Sequence, residues 1–434
     1  MLPLLQRLPP ARNWWLAYSG GLDSEVLLHA LAHLRPRVAA DLHALHVHHG
    51  LSAAADDWTV HCAQTCERLG VSLTIRRVGV RARVGESPEA VARAARYRAL
   101  REPMGAGDLL MTAHHRDDQA ETLLLALLRG SGVSGLAAMP ECARFPPGHL
   151  IRPLLGFTRG ELSAFAHATG LTWVEDASNR DLGHDRNFLR HRVLPLLAER
   201  WPAYARTLAR SAGHCAEAQQ LIDRLAGERQ ATCAGSRPER LSLSRLGALD
   251  APLARAVLRH WIKSQGFRLP NRLRLERVLA EVLTAAPDRR PLVTWPGCEI
   301  RRYRDDLYLL EPLPKRPGPL RLRWEDNPLR LPDPLGRLRV LGEVPGDAVV
   351  DVRFRAGGEV CRPAGKAHRK PLKKLFQEAG IPDWLRDYVP LIYIDGELAA
   401  VAGLALCDWF ATHPAVGVRW EGHPWETILV NAAR

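Results

Sequence analysis

The sequence predicts an α/β protein with a doubly wound, parallel-sheet N-terminal domain, a helical middle domain and a small α+β C-terminal domain. Three observations carry that prediction. The first 130 residues alternate short apolar runs with amphipathic stretches of helical length, the pattern of a parallel sheet with crossover helices. Residues from about 201 to 290 keep helical spacing but lose the alternation. Residues from about 345 to 434 mix short strand-like runs with one basic helical segment.

In chain order, Trp14–Tyr18 reads as the first strand, and Ser24–Leu34 has helical spacing. Leu42–Val47 is a second strand, Ala53–Leu69 a helix and Val71–Val78 a third strand. Pro88–Leu100 opens on a proline, which suits the first helical position. Asp108–Thr112 is a fourth strand, and Asp117–Leu128 is an amphipathic helix closed by Gly130. Glu161–Thr169 and Asn187–Glu199 read as helices, the second with Pro195 as a kink near its middle. The proline-rich stretch 312–334 is expected to be a linker or an extended segment. The expected domains are therefore 1–200, 201–311 and 345–434.

The 434 residues carry a net charge of +13, which points to a polyanionic partner. Arginine enrichment runs through the whole chain, but lysine does not: of Lys263, Lys315, Lys366, Lys370, Lys373 and Lys374, four fall within nine residues. No apolar run approaches the ~20 residues that span a bilayer. The longest, Leu398–Cys407, stops at Asp408. The N-terminal run is too short and too broken by proline and arginine for a signal peptide, so cytoplasmic residence without a membrane partner is expected. The eight cysteines are scattered; Cys62 and Cys66 are one helical turn apart, and neither a zinc nor an iron–sulfur pattern is present. All eight are expected to be reduced thiols.

The strongest local motif is Ser19-Gly20-Gly21-Leu22-Asp23-Ser24, which follows a strand and opens a helix. Glycines permit close backbone approach, and the free N–H groups of a helix start attract phosphate. Asp23 would repel phosphate unless a cation lies between them, which implies Mg²⁺ at Asp23. The lysine of the common P-loop is absent. A second cluster is His114-His115-Arg116-Asp117-Asp118-Gln119-Ala120-Glu121-Thr122. Asp118 and Glu121 share one helix face, where they can receive an ammonium group, hold Mg²⁺, or form no more than an acidic first turn. Asp117 lies about 100° round the helix axis. Arg93 and Arg96 also share a face and can bind phosphate or carboxylate. His46, His48, His114 and His115 are expected to pack or hydrogen-bond, and His114 also to help shape the site.

The Ser19–Ser24 loop resembles that of the PP-loop ATP pyrophosphatase superfamily, which cleaves ATP between the α and β phosphates. Further segments resemble the lysidine synthases within it. These are His46-Val47-His48-His49-Gly50-Leu51, Glu89-Ala90 through Arg93 to Arg96-Tyr97, and His114–Thr122 with Leu127–Gly132. Ile151–Leu155, Glu175-Asp176 with Ser178-Asn179, Arg186-Asn187 with Arg190, and the region around Cys361-Arg362-Pro363 follow in the same order. The resemblance implies an ATP-dependent ligase. Its tRNA(Ile) substrate has a CAU anticodon, and ATP adenylates O2 of the wobble cytidine. The ε-amino group of free L-lysine then displaces AMP from C2. It implies ATP binding by Ser19, Gly20, Gly21, Leu22, Asp23 and Ser24, and catalytic roles for Asp23, Arg96, His114, Asp118 and Glu121. It places the tRNA grip on the run 362–377, through Arg362, Lys366, Arg369, Lys370, Lys373 and Lys374. A homodimer is compatible with it. The alternatives are a tRNA 2-thiolation enzyme of the same superfamily, which usually relies on catalytic cysteines, and a non-catalytic nucleotide-dependent RNA-binding module.

Overall fold

The structure, a computed structural model, describes the chain apart from residues 39, 49, 51–54, 80–87, 287–288, 319, 343–347, 367, 414–415 and 430–434. His49 and Leu51 of the histidine motif and the side chains of Glu89 and Ala90 lie outside the described set. The chain divides into two compact units, Met1–Asp223 and Arg224–Arg434. No helix among the described residues is long and apolar enough to cross a membrane.

The first unit begins with a short helix α1 (Leu2–Leu5) and then alternates strand and helix as expected. Its elements are β1 (Asn13–Ala17), α2 (Leu22–Leu34), β2 (Asp41–His48), α3 (Ala55–Arg68), β3 (Ser72–Arg77), α4 (Pro88–Arg101), β4 (Leu109–Met111) and α5 (Arg116–Leu128). A short helix α6 (Val133–Leu136) and a hairpin of β5 (Cys142–Phe145) and β6 (Gly148–Ile151) follow, then α7 (Arg159–Ala168), α8 (Asp185–Phe188) and α9 (Leu194–Arg200). The sheet order is β3-β2-β1-β4-β6-β5, all parallel except the edge strand β5. Leu16, Leu109 and Met111 are completely buried between the helix layers, as a sheet covered on both faces requires. The chain runs outward from β1 in both directions, so the order reverses between β1 and β4. Ligands of such sheets bind beyond the strand C-termini at this switch point.

Pro195 sits in the first turn of α9, not mid-helix, and the segment before it, Leu189–Val193, is a π-helical turn. The expected single kinked helix is thus α8, a π turn and α9. The prolyl nitrogen needs no partner at a helix start.

Helix α10 (Tyr204–Thr232) ends in the second unit. There α11 (Leu243–Gly247), α12 (Ala251–Ser264) and α13 (Arg272–Arg277) agree with the helical reading. They pack with a four-stranded antiparallel sheet that the sequence reading did not see. Its strands are β7 (Leu241–Ser242), β8 (Leu292–Trp295), β9 (Cys298–Tyr303) and β10 (Asp306–Leu310), in the order β7-β10-β9-β8. Trp261, Val257, Val278, Ile300 and Leu307 are its buried centre. The last part holds a five-stranded sheet of β11 (Arg321–Arg323), β14 (Val350–Arg353), β17 (Leu391–Ile394), β18 (Glu397–Val401) and β19 (Ala405–Leu406). A three-stranded sheet joins β12 (Leu329–Arg330), β13 (Arg337–Leu341) and β20 (Gly417–Glu421), and a hairpin joins β15 (Val360–Cys361) to β16 (Lys370–Pro371). Helices α14 (Leu372–Glu378), α15 (Asp408–Thr412) and α16 (Glu426–Leu429) complete it. Leu398–Cys407, the longest apolar run, lies on β18, the edge strand β19 and the turn between them.

The expectation of eight free thiols is corrected at one pair: Cys361 and Cys407 form a disulfide with a Cα–Cα distance of 6.3 Å. They are 46 residues apart in sequence, so the pairing left no mark in local spacing. The bond ties β15 to the start of α15.

Candidate active site

The loop between β1 and α2 is built by its own polar side chains. Ser24 Oγ donates to the carbonyl of Gly21 at 2.9 Å and lies 3.0 Å from Ser19 Oγ. The Gly21 N–H donates to Ser19 Oγ at 3.3 Å. Gly20 has φ +83° and stands where a Cβ would lie 2.9 Å from Cys62 Sγ. Its carbonyl accepts from the Val174 N–H at 2.9 Å. Behind the loop, the Tyr18 hydroxyl and His61 Nε2 both engage the fully buried Glu25 carboxylate. Gly21 caps α2 without a side chain, so the first N–H groups of that helix have no capping side chain in competition with a phosphate.

Asp23 stands in the first turn of α2. Its Oδ1 is buried without a hydrogen-bond partner, and its Oδ2 is 3.6 Å from His115 Nε2. Burial raises its pKa above the usual carboxylate range, with His115 acting the other way and Asp118 adding to the rise. An unsatisfied buried carboxylate oxygen beside a phosphate loop is what a divalent cation would use. Among the described residues no group of three or more metal-ligating side chains exists. An ion here would therefore take its remaining ligands from phosphate oxygens and water, as Mg²⁺ commonly does.

Across the switch point, α5 carries the second cluster. His115 caps it, its Nδ1 accepting from the Asp118 N–H while Asp118 Oδ2 accepts from the His115 N–H at 2.9 Å. His115 is 1% exposed, and its Nε2 lies 3.4 Å from Asp118 and 3.6 Å from Asp23. It bridges the two clusters, where the sequence led us to expect only a hydrogen-bonding or packing role. The usable signal was its place just before a helix start, but histidine is not among the usual capping residues. Asp117 turns away and serves as structure: it accepts from Tyr204 Oη at 3.1 Å and from the first N–H of α7 at 2.8 Å.

Asp118 and Glu121 do share one face, and that face is occupied. Arg186 Nε donates to Glu121 at 2.6 Å, and Arg190 Nε at 2.7 Å. A second Arg190 nitrogen reaches Asp118 Oδ1 at 3.0 Å and Glu121 Oε2 at 3.0 Å. Glu121 is completely buried. Burial alone would raise the pKa of Asp118, but His115 and Arg186 outweigh it and hold the group below the usual range.

A PP-loop domain model matches residues 3–197, a TilS substrate binding domain model residues 241–308, and a TilS substrate C-terminal domain model residues 350–421. The chain is 45% identical over 414 residues to a tRNA(Ile)-lysidine synthase of Methylococcus capsulatus, covering 93% of this chain and 94% of that one. It is 43% identical to that of Coxiella burnetii, over 97% and 94% of the two chains. The chain belongs to the tRNA(Ile)-lysidine synthase family. A solved U34-tRNA thiolase of Methanococcus maripaludis aligns at 18% identity and a TM-score of 0.42, over 49% of this chain and 75% of that one. At that distance it assigns neither fold nor activity.

For a lysidine synthase family member, the remaining predicted residues fall into two places. Beside the arginine–carboxylate cluster, burial pushes His114 down to about 4, against the pull of Asp118 and helped by Arg152, Arg186 and Arg93. Its ring is therefore neutral at pH 7, with Nδ1 2.9 Å from Thr112 Oγ1. Arg93 and Arg96 lie over the Tyr97 ring at 5.1 and 5.7 Å. The protein bulk around Arg96 lowers its pKa, as do Arg93 and Arg186.

The basic segment lies in the second unit and is not one helix. Arg362, Lys366 and Arg369 sit on the loop joining β15 and β16, whereas Lys373 and Lys374 sit on α14. Lys366, Arg369, Lys373 and Lys374 are exposed. Arg362 pairs with Asp408, and Lys370 with Glu378 at 2.9 Å. Phe376 and Trp384 are core residues.

Proposed function

We propose that this chain joins free L-lysine to C2 of the wobble cytidine of a CAU-anticodon tRNA(Ile), with release of AMP and pyrophosphate. The observation that carries the reading is the meeting of the phosphate loop and the Asp118/Glu121 cluster at the β1–β4 switch point, bridged by His115. ATP lies with its phosphates on the Ser19–Ser24 loop, against the N-terminus of α2. Asp23 Oδ1 is the residue to hold Mg²⁺, which when bound neutralises phosphate charge. O2 of the cytidine attacks the α-phosphorus and pyrophosphate leaves. The lysine ε-amine, once deprotonated, attacks C2 and expels AMP. Asp118 and Glu121 form the ammonium acceptor, Arg96 and Arg93 face anionic groups, and neutral His114 supplies a hydrogen-bonding nitrogen to the site. Exposed Lys373 and Lys374, with the 362–369 loop, hold tRNA phosphates. The reaction belongs in the cytoplasm.

The thiolation alternative finds no reactive thiol in the first unit's core. Burial, reinforced by Glu25, pushes Cys62 and Cys66 each up to about 12, and a thiol at such a value is a poor nucleophile. The test is incubation with ATP, labelled lysine and a CAU-anticodon transcript, followed by nucleoside mass analysis. Lysidine with AMP supports the reading. A thiolated base, or ADP with phosphate, refutes it.

A further inference from the structure

The expected ammonium acceptor is already filled by the protein's own cations. Both oxygens of Glu121 accept from Arg186 or Arg190, and Asp118 Oδ1 accepts from Arg190 at 3.0 Å. Asp118 Oδ2 is taken by the His115 N–H. Two carboxylates and two guanidinium groups make a neutral unit, which gives a third cation no electrostatic reason to enter.

The two arginines are nevertheless placed to leave. Their side chains are 33% and 22% exposed, whereas Glu121 is sealed. Arg190 also senses the charge of Asp23, on the helix that opens at the phosphate loop. Arg190 lies within the π turn Leu189–Val193, where one extra residue is held in the helix and a shift of register is comparatively easy; such turns are frequent at functional sites. A guanidinium forks onto phosphate as readily as onto carboxylate. A triphosphate on the adjoining loop therefore competes for these arginines.

We propose that Arg186 and Arg190 are positioning residues that keep the lysine acceptor closed until ATP is bound. ATP phosphates draw the two guanidinium groups from Asp118 and Glu121, and the exposed carboxylate pair then receives the lysine ammonium. Lysine binds after ATP, so the amine is not held at the site before there is an adenylating agent to use it. The proposal rests on the lysine-ligating reading above and deepens it. It changes no covalent step. The coupling is an exchange of ion-pair partners, and linkage requires that lysine tighten nucleotide binding by the same factor.

The test is equilibrium binding of L-lysine to the full chain, with and without α,β-methylene-ATP and Mg²⁺, using L-norleucine as the control that keeps the α-ammonium but lacks the ε-ammonium group. The expected result is at least a tenfold tighter lysine Kd with nucleotide, and the same factor when nucleotide is titrated with and without lysine. Arg190→Gln should let lysine bind without nucleotide and shrink the factor towards one; Arg190→Lys should restore part of it. If Arg190→Gln does not fold, the wild-type pair of titrations still decides. A wild-type lysine Kd indifferent to nucleotide overturns the proposal. So does lysine binding that is undetectable in both states while the wild type still makes lysidine. A wild type that makes no lysidine instead refutes the functional reading beneath it.

Discussion

Replacing Gly20 with alanine tests how the phosphate loop is shaped. Gly20 has φ +83°, and the new Cβ would sit 2.9 Å from Cys62 Sγ and 3.2 Å from Val174 Cγ2. The sulfur is fully buried and lies 3.5 Å from His46 Nδ1, so it has no open space to turn into. The left-handed backbone costs about 1–2 kcal/mol for a residue with a Cβ. Overpacking adds about 1–3 kcal/mol, for a total of about 2–5 kcal/mol. The loop can relieve this by moving away from α3, which would misplace the N–H groups facing phosphate. The assay is thermal unfolding together with ATP-dependent AMP release across ATP concentrations. For a unit of this size each kcal/mol shifts the midpoint by about 2–4 °C, and KM for ATP should rise at least tenfold. Combining Gly20→Ala with Cys62→Ala removes the sulfur but keeps the backbone strain. It should recover part of the stability and less of the KM, because contacting sites couple. An unchanged midpoint and KM in Gly20→Ala would refute the reasoning, since neither the strain nor the contact would then be real.

Other expectations follow from the same geometry. Glu121→Gln removes one of the two buried carboxylates that Arg186 and Arg190 share, leaving Asp118 to face both, and should cost about 3 kcal/mol and most lysidine formation; denaturant unfolding and product analysis measure both. Burial pushes His423 down to about 4, against Glu426, so the unfolded chain takes up its proton first as the medium is acidified. The stabilising contribution is complete above about pH 6.5 and is lost as pH falls towards 4; His423→Gln should flatten the second unit's melting midpoint over that window. Changing Lys370, Lys373 and Lys374 to alanine should weaken tRNA binding and flatten its salt dependence by up to about two units. Lys370, already paired with Glu378, should contribute least, and ATP binding should be unaffected. Changing Cys62 and Cys66 together to alanine should leave a stable enzyme active in lysidine formation, measured by nucleoside mass.

The N-terminal sheet was legible because each of its first four strands is a local apolar run followed by a helix with its own start signal. The β5–β6 hairpin was missed: Cys142–Phe145 carries an arginine and only one buried side chain. The sheet β7-β10-β9-β8 was missed because its strands are only two to six residues long, too short to establish an alternation. The carboxylates of the site were readable from helical spacing alone. Their saturation was not, because Arg186 and Arg190 reach Glu121 from 65 and 69 residues away. The same holds for His115, whose bridging position depends on how β1 and β4 are paired.

The Cys361–Cys407 bond closes a loop of 46 residues that encloses Arg362, the basic loop and all of α14. Ring closure of that length restricts the unfolded ensemble by about 4 kcal/mol in the chain-entropy treatment. Oxidation therefore acts on the part of the chain that carries the lysine cluster, while the phosphate loop lies outside the ring. A preparation kept oxidised and one kept reduced would then be two materials with one sequence: alike in how they cradle a nucleotide, and unequal in how long the lysine-bearing end survives heat or a protease.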